Sequence, residues 1–254
     1  MRLAAVLLLA VAAPGVAQSR PCAPCAARAA QSDSAFILGD AAAALEHALM
    51  GLKQDSNDVA LLWRVARVEI AMGMVARDRA VSEAHYVRAT QLARRAVALA
   101  PNDADMHFWL AAALGRRALR AGFRSAVPLA SGTYKAASRA LIIDSLHAGA
   151  HEVMGKLHSE VRKLPWLVRR LAAALTSLDV ARTASWESAE MHLKRANALD
   201  PTLMLALVDL SQLYLRTGRW AKAVAVVEQL ERMPRRTPAD AYLQGEARRR
   251  LGWY

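Results

Sequence analysis

Residues 206–234 read ALVDLSQLYLRTGRWAKAVAVVEQLERMP, and the spacing within them decides the fold. Leu210, Ser211 and Tyr214 stand one to four residues apart, so they share one face of a first helix. Gly218 turns the chain. Ala223, Val227 and Leu230 then recur at intervals of four and three on a second helix, and Pro234 follows as its terminator.

The same register repeats toward the N-terminus. Ala89, Ala93, Ala96 and Pro101 end one unit; Thr133, Ala137, Ala140 and Ser145 end another; Ala189, Leu193, Ala196 and Pro201 end a third. From each terminator the next first-helix Leu or Met lies nine residues on: Pro101 to Leu110, Ser145 to Met154, Pro201 to Leu210. Small and large residues fixed in a two-helix hairpin of this kind are the signature of the tetratricopeptide unit. The fold class expected is therefore all-α, a tetratricopeptide-like helical-hairpin solenoid. Leu45, Leu49 and Leu52 fit the second helix of an incomplete earlier unit, and Ala66 and Ile70 the first helix after it.

The distance between the two helices of a unit varies. It is nine residues from Tyr214 to Ala223, nineteen from Ile70 to Ala89 and from Leu114 to Thr133, and thirty-one from His158 to Ala189. Turns within hairpins all fall at one end of a solenoid, so one rim is expected to be elaborated. Gly122, Pro128, Ser131 and Gly132 read as an irregular loop in the second extension. Asp58 and Asp103 stand where N-caps are wanted, and Thr237-Pro238 predicts the start of a closing helix over 238–250.

The chain has 254 residues and a formal charge of +12, carried mainly by Arg, which favours acidic partners or anionic surfaces. Arg2 followed by the apolar run Leu3–Ala13, with Gly15-Val16-Ala17 behind it, reads as a cleaved secretory signal over 1–17. The run is shorter than the ~20 residues a bilayer needs, and nothing later reaches that length. The expected plan is a signal peptide at 1–17, a flexible segment with a CxxC at 18–38 and the repeat domain at 39–254, in a periplasmic or secreted protein. Cys22 and Cys25 lie in PCAPC. Ala26 takes the place that a haem site gives to His, and no βαβ unit surrounds the pair, so a local disulfide is the expected use.

Four stretches carry a family resemblance: LLWRVAR at 61–67, HFWLAAALG at 107–115, HEVMGKLHSEVRKLPWLVRRLA at 151–172 and HLKRANALDP at 192–201. With these the chain resembles the regulator of microtubule dynamics family, from about Asp40 to Trp220. The resemblance implies an all-helical solenoid with a role in association, and it brings no catalytic residues. Export would keep this chain away from cytosolic microtubules.

Candidate sites follow from these readings. No catalytic, cofactor or metal residues are assigned. His147, His151 and His158 are spaced for one helical stripe, but Gly155 stands where a His-Glu-x-x-His motif needs its second His. Metal binding or an enzyme built on that trio remains a rival reading, as does a polyanion or membrane-surface binder using the Arg excess. The basic pairs are scattered without interleaved aromatics, which argues against nucleic acid. The expected activity is non-enzymatic: the concave face takes a protein or peptide segment, with His107, His151, Arg169 and Arg170 as contacts. An acidic partner suits the charge, and peripheral contact with the envelope membrane is allowed. Pro165-Trp166 predicts a helix break and a short extra helix. Its Trp166 face is expected to pack on a neighbour, and Arg169 and Arg170 to pair with Glu152 or Glu160.

Overall fold

The computed structural model describes residues 22–175 and 179–253, and every element among them is a helix. In chain order these are α1 (Ala23–Ile37), α2 (Ala41–Gln54), α3 (Val59–Val75), α4 (Arg79–Leu99), α5 (Ala104–Ala118), α6 (Phe123–Ile143) and α7 (Ala148–Lys163). They continue with α8 (Trp166–Leu175), α9 (Asp179–Thr183), α10 (Trp186–Leu199), α11 (Met204–Arg216), α12 (Trp220–Glu231) and α13 (Asp240–Arg250). Sequential hairpin partners are α1 with α2, α3 with α4, α5 with α6, α7 with α10 and α11 with α12, and α4 packs as closely on α5 of the next hairpin. The described residues thus form a stack of five antiparallel hairpins closed by α13, the solenoid that the register implied.

Local chemistry sets the helix starts. Asp40, Asp58, Asp78 and Asp103 accept hydrogen bonds from backbone N–H groups of the first turn, and Ser185 does the same with its hydroxyl. Such caps satisfy donors that the helix cannot use internally. His147 is also a cap: its Nδ1 accepts from Ala150 N–H at 3.1 Å.

Packing relies on alanine and on missing side chains. Ala44, Ala48, Ala89, Ala93, Ala137 and Ala189 are fully buried, which brings paired helices close together. Gly73 goes further, because a Cβ there would lie 2.5 Å from the ring of Tyr86. Tyr86 itself is 2% exposed, seated from α4 on the surface of α3.

Several expectations need correcting. The irregular loop expected between Leu114 and Thr133 is not found, and this extension and the one between Ile70 and Ala89 take the same form. They are extra helical turns, which make α4 and α6 each 21 residues long. Pro128, Ser131 and Gly132 all lie inside α6. Tertiary packing overrides the local breakers here, since Thr133, Ala136, Ala137 and Ala140 bury one face of α6. Gly132 leaves room for Leu114 of α5, whose Cδ1 would be 3.0 Å from an added Cβ. The expected flexible segment contains α1, which packs on α2 through Cys25, Ala29, Ser32 and Phe36. The signal-peptide reading at 1–17 lies outside the described residues. The closing helix begins at Asp240, not Pro238. The Asp240 carboxylate accepts from the backbone N–H of Arg236 and Thr237 and thereby fixes the turn before it.

The break before Pro165 is where the sequence puts it, with α7 ending at Lys163 and α8 starting at Trp166. The expected burial of Trp166 is not found. Trp166 is 62% exposed and Leu167 63%, with Arg170 lying over the Trp166 ring. Of the α8 residues, Arg169 lines the interior groove, and α9 buries Val180 and Ala181 against α7. Trp166→Ala should therefore change unfolding free energy by less than ~0.5 kcal/mol in chemical denaturation, as surface substitutions do. A loss near ~3 kcal/mol, the scale for a buried ring, would mean that the ring is buried in solution.

Candidate functional site

First helices of a hairpin stack face inward, and here α3, α5, α7, α11 and α13 enclose a groove of about 600 Å³. The first turns of α6 and Arg169 of α8 close one side of it. Its walls are mainly apolar, with Ile70 and Met74 from α3, Ala112 from α5, Val127 from α6 and Leu157 from α7. This volume lies within the range of ordinary ligand clefts.

Arg67, Phe36, Phe108 and Trp109 of one wall belong to a ladder of rings and guanidinium groups that continues behind the lining to Trp63. Arg67 lies 4.1 Å from the Phe36 ring centre and 5.1 Å from that of Trp63. Trp63 stacks on Trp109 at 5.7 Å with planes 7° apart, and Phe108 tilts against Trp109 at 4.6 Å. Asp33 holds Arg64 at 2.6 Å and Arg67 at 2.7 Å, which fixes the ladder from behind. Arg67 Nε is buried without a hydrogen-bond partner, and Arg67 lies on the groove wall.

The floor is polar where α7 meets α11. Lys156 Nζ donates to Asp209 Oδ1 at 2.5 Å and to Gln212 Oε1 at 2.9 Å. Glu152 and Asp209 are both 4% exposed and lie against each other. Burial, then the Asp209 charge and the hydrogen bond with it, pushes the Glu152 carboxyl well above the usual range. Burial also opposes ionisation of Asp209, but the Lys156 ammonium and the Glu152 hydrogen bond outweigh it and hold Asp209 below its ordinary value. Glu160, nearer the mouth, is shared by Lys163 at 2.6 Å and Arg216 at 2.8 Å. These carboxylates are engaged with their own neighbours, and at the α13 end of the groove the Thr237 hydroxyl donates to Asp240.

The histidines separate into two groups. His147 turns to Asp105, 3.0 Å away, and so leaves the expected stripe. His151 instead meets His192 of α10, Nδ1 to Nδ1 at 2.8 Å, while His158 stacks on His192 at 5.7 Å. The Ser145 carbonyl can only accept, so His151 donates to it from Nε2 at 3.1 Å and receives the His192 N–H at Nδ1. Among the described residues no three His, Cys, Asp or Glu are gathered to hold a metal. Burial, then the neighbouring His151 and His158, depresses His192 to about 4. A base whose folded pKa lies below its unfolded value of ~6.5 contributes stability above about pH 6.5, and that stability is lost as pH falls toward about 4. Thermal unfolding should therefore show the midpoint falling between about pH 7 and pH 5, and His192→Gln should flatten that limb. An unchanged limb would remove His192 from the acid response.

Of the expected contacts, only Arg169 lines the groove; its Nε is buried without a partner. Arg170 is exposed. Neither arginine pairs with Glu152 or Glu160, whose partners are Asp209 for the first and Lys156, Lys163 and Arg216 for the second. His107 donates to the Pro101 carbonyl at 2.9 Å within its own capping loop, and His151 is turned to α10, so neither lines the groove. Cys22 and Cys25 are joined as a disulfide at the start of α1. Sequence spacing does not reveal the Arg67–Trp63–Trp109 ladder or the Lys156–Asp209 pair. Trp63 and Trp109 stand at repeat positions that ordinary core residues also take, and Asp209 sits in an apolar run that gives no hint of a partner 53 residues away.

Comparison with known proteins completes the picture. The family model described as regulator of microtubule dynamics protein 1-3 matches residues 29–253. The chain belongs to this family. A curated relative in the regulator of microtubule dynamics family, regulator of microtubule dynamics protein 1 of Pongo abelii, is 24% identical over 196 residues, 76% of this chain. The match spans 62% of the length of that relative. Among solved structures, the thermophilic TPR protein TTC0263 of Thermus thermophilus superposes with a TM-score of 0.62 at 21% identity. The superposition covers 89% of this chain and 98% of that one, and it shows that the regulator of microtubule dynamics fold here is a tetratricopeptide-type stack.

Proposed function

We propose that this chain is a non-enzymatic scaffold of the extracytoplasmic space, whose groove holds a protein or peptide segment. The observation that carries the reading is the groove itself: an apolar concave surface with Arg67 and Arg169 on its walls, each with a buried, partnerless Nε. Unpaired donors in an apolar setting favour an occupant with carboxylates along an apolar face. An amphipathic helix or extended segment bearing Asp or Glu fits, in the manner of helix-in-groove recognition. The Leu3–Ala13 run supports export, and the disulfide at Cys22–Cys25 is of the kind an oxidising compartment maintains. Groove recognition is tested by capture from native envelope fractions with the wild-type chain and with Ala112→Trp, which puts an indole into the groove. The wild type should retain a partner that the variant loses while keeping its helical circular dichroism. Equal capture by both would contradict the reading.

A further inference from the structure

The connecting segments at the two edges of the stack differ in charge, although Arg95 and Arg139 reach onto the acidic side at Ser56, Asn57 and Asn102. At the edge where each first helix turns into its second run the segments 37–40, 75–79, 119–124 and 216–222, together with 163–170, the opening part of the longer connection from α7 to α10. They contain ten Lys or Arg and two acids, a balance of +8 within a chain of +12. Both acids, Asp40 and Asp78, cap α2 and α4, as Asp58 and Asp103 cap α3 and α5 at the other edge. At the other edge the first four connections between hairpins, 55–58, 100–105, 144–147 and 200–203, contain six Asp and no Lys or Arg. Only the last connection there, with Arg232, Arg235 and Arg236, departs from that sign.

The basic edge is also the edge with large apolar side chains in water. Leu38 is 85% exposed, and Phe123, Trp166, Leu167 and Trp220 all stand open to solvent at these turns. Some of the cations are engaged, since Arg216 and Lys163 share Glu160 and Arg219 pairs with Glu190. Arg124, Arg170 and Lys222 are exposed, with no acidic partner among the described residues. Arg170 lies over the exposed ring of Trp166, where the cation and the aromatic surface are offered together, and Lys222 lies over the buried ring of Tyr214.

We infer that this edge docks on an anionic lipid surface, with Trp166, Leu167, Trp220 and Phe123 entering the headgroup layer. Charge complementarity chooses the surface, because a negative leaflet attracts cations held near it and repels the acidic edge, which fixes orientation. The apolar tips choose lipid over an acidic protein. Trp166, Leu167 and Trp220 lie outside the groove lining and only Phe123 reaches it, and amphipathic rings with flanking cations suit the water–lipid interface. The inference does not depend on what the groove holds.

The test is flotation of the full chain, beginning at its mature N-terminus, with phosphatidylcholine vesicles that contain or lack phosphatidylglycerol. Binding should need the anionic lipid and weaken as salt rises. Trp166→Ser with Trp220→Ser should lower the partition coefficient at least about tenfold, and so should Arg124→Glu with Arg170→Glu and Lys222→Glu. All five positions are exposed, so the variants should fold, and matching circular dichroism confirms that they do. Leu99→Ser with Ile142→Ser, exposed apolar sites away from this edge, should change nothing. Failure of the wild type to float at low salt overturns the inference. So does loss on charge reversal alone with full binding by the Trp variant, since that is adsorption by charge, and polyglutamate would then bind equally well. Partner capture by the groove is a separate readout and would stand through either result.

Discussion

Lys156→Met should lower the unfolding free energy by about 3–5 kcal/mol at pH 7, the cost of leaving a buried charge without its counter-ion. Asp209 is 4% exposed, and Lys156 Nζ stands 2.5 Å from its carboxylate. With the ammonium gone, Asp209 must stay ionised beside the apolar groove or take up a proton. The sign of the pH dependence follows. The wild-type Asp209 carboxyl is held below its ordinary value, so its contribution is present above the unfolded pKa and is lost as pH falls through the folded one. In the variant the folded pKa should rise, so the penalty should shrink as pH falls toward about 4, where the acid protonates. Lys156→Met combined with Asp209→Leu should recover most of the loss, because an apolar pair needs no counter-ion. Urea unfolding of the wild type, the single variant and the double variant at about pH 7 and about pH 4.5 checks all of this. A single-variant loss below ~1 kcal/mol would show that the pair is solvated.

Tyr86→Ala should cost about 3–5 kcal/mol, the range for removing a large buried ring. The ring fills the surface left bare by Gly73, where an added Cβ would lie 2.5 Å away. Neither partner can compensate alone: α3 has no side chain there to move into the gap, and α4 is held by buried Ala89 and Ala93 on the same face. Filling the gap from the other side, with Gly73→Ala on the Tyr86→Ala background, should recover part of the loss. On the wild-type background Gly73→Ala should destabilise, because the ring and the new methyl group cannot share the space. Denaturant midpoints of the four proteins form the cycle that checks it. Additive effects would mean that the ring does not rest on Gly73.

The hairpin register is legible because small residues at fixed helical spacing have one use, the close approach of paired helices. Ala89, Ala93 and Ala96 and their counterparts in later units are buried as that spacing implies. Pro165 is legible for the same reason, since a missing N–H and a ring clash act locally. Pro128 misleads because its local effect is outweighed by the packing of Thr133 and Ala137 against α5. Trp166 misleads because helical spacing shows that residues share a face and says nothing of what that face meets. The groove wall needs a third kind of information. Arg67, Asp33, Trp63 and Trp109 come from α1, α3 and α5, and only the superhelical path of the stack brings them together. Charge polarity between the edges is present in the sequence throughout, but it becomes visible only when turns are sorted by edge.

Site-directed photo-crosslinking in the native host tests the central claim, that the concave groove is the binding surface, most directly. A benzophenone side chain at Val127, on the groove wall, is compared with one at Leu99, on an exposed face away from it. The result expected is a discrete adduct from the Val127 position, abolished by Ala112→Trp, and none of that mass from Leu99. The same adduct from both positions, or one from Val127 that survives Ala112→Trp, would contradict the account.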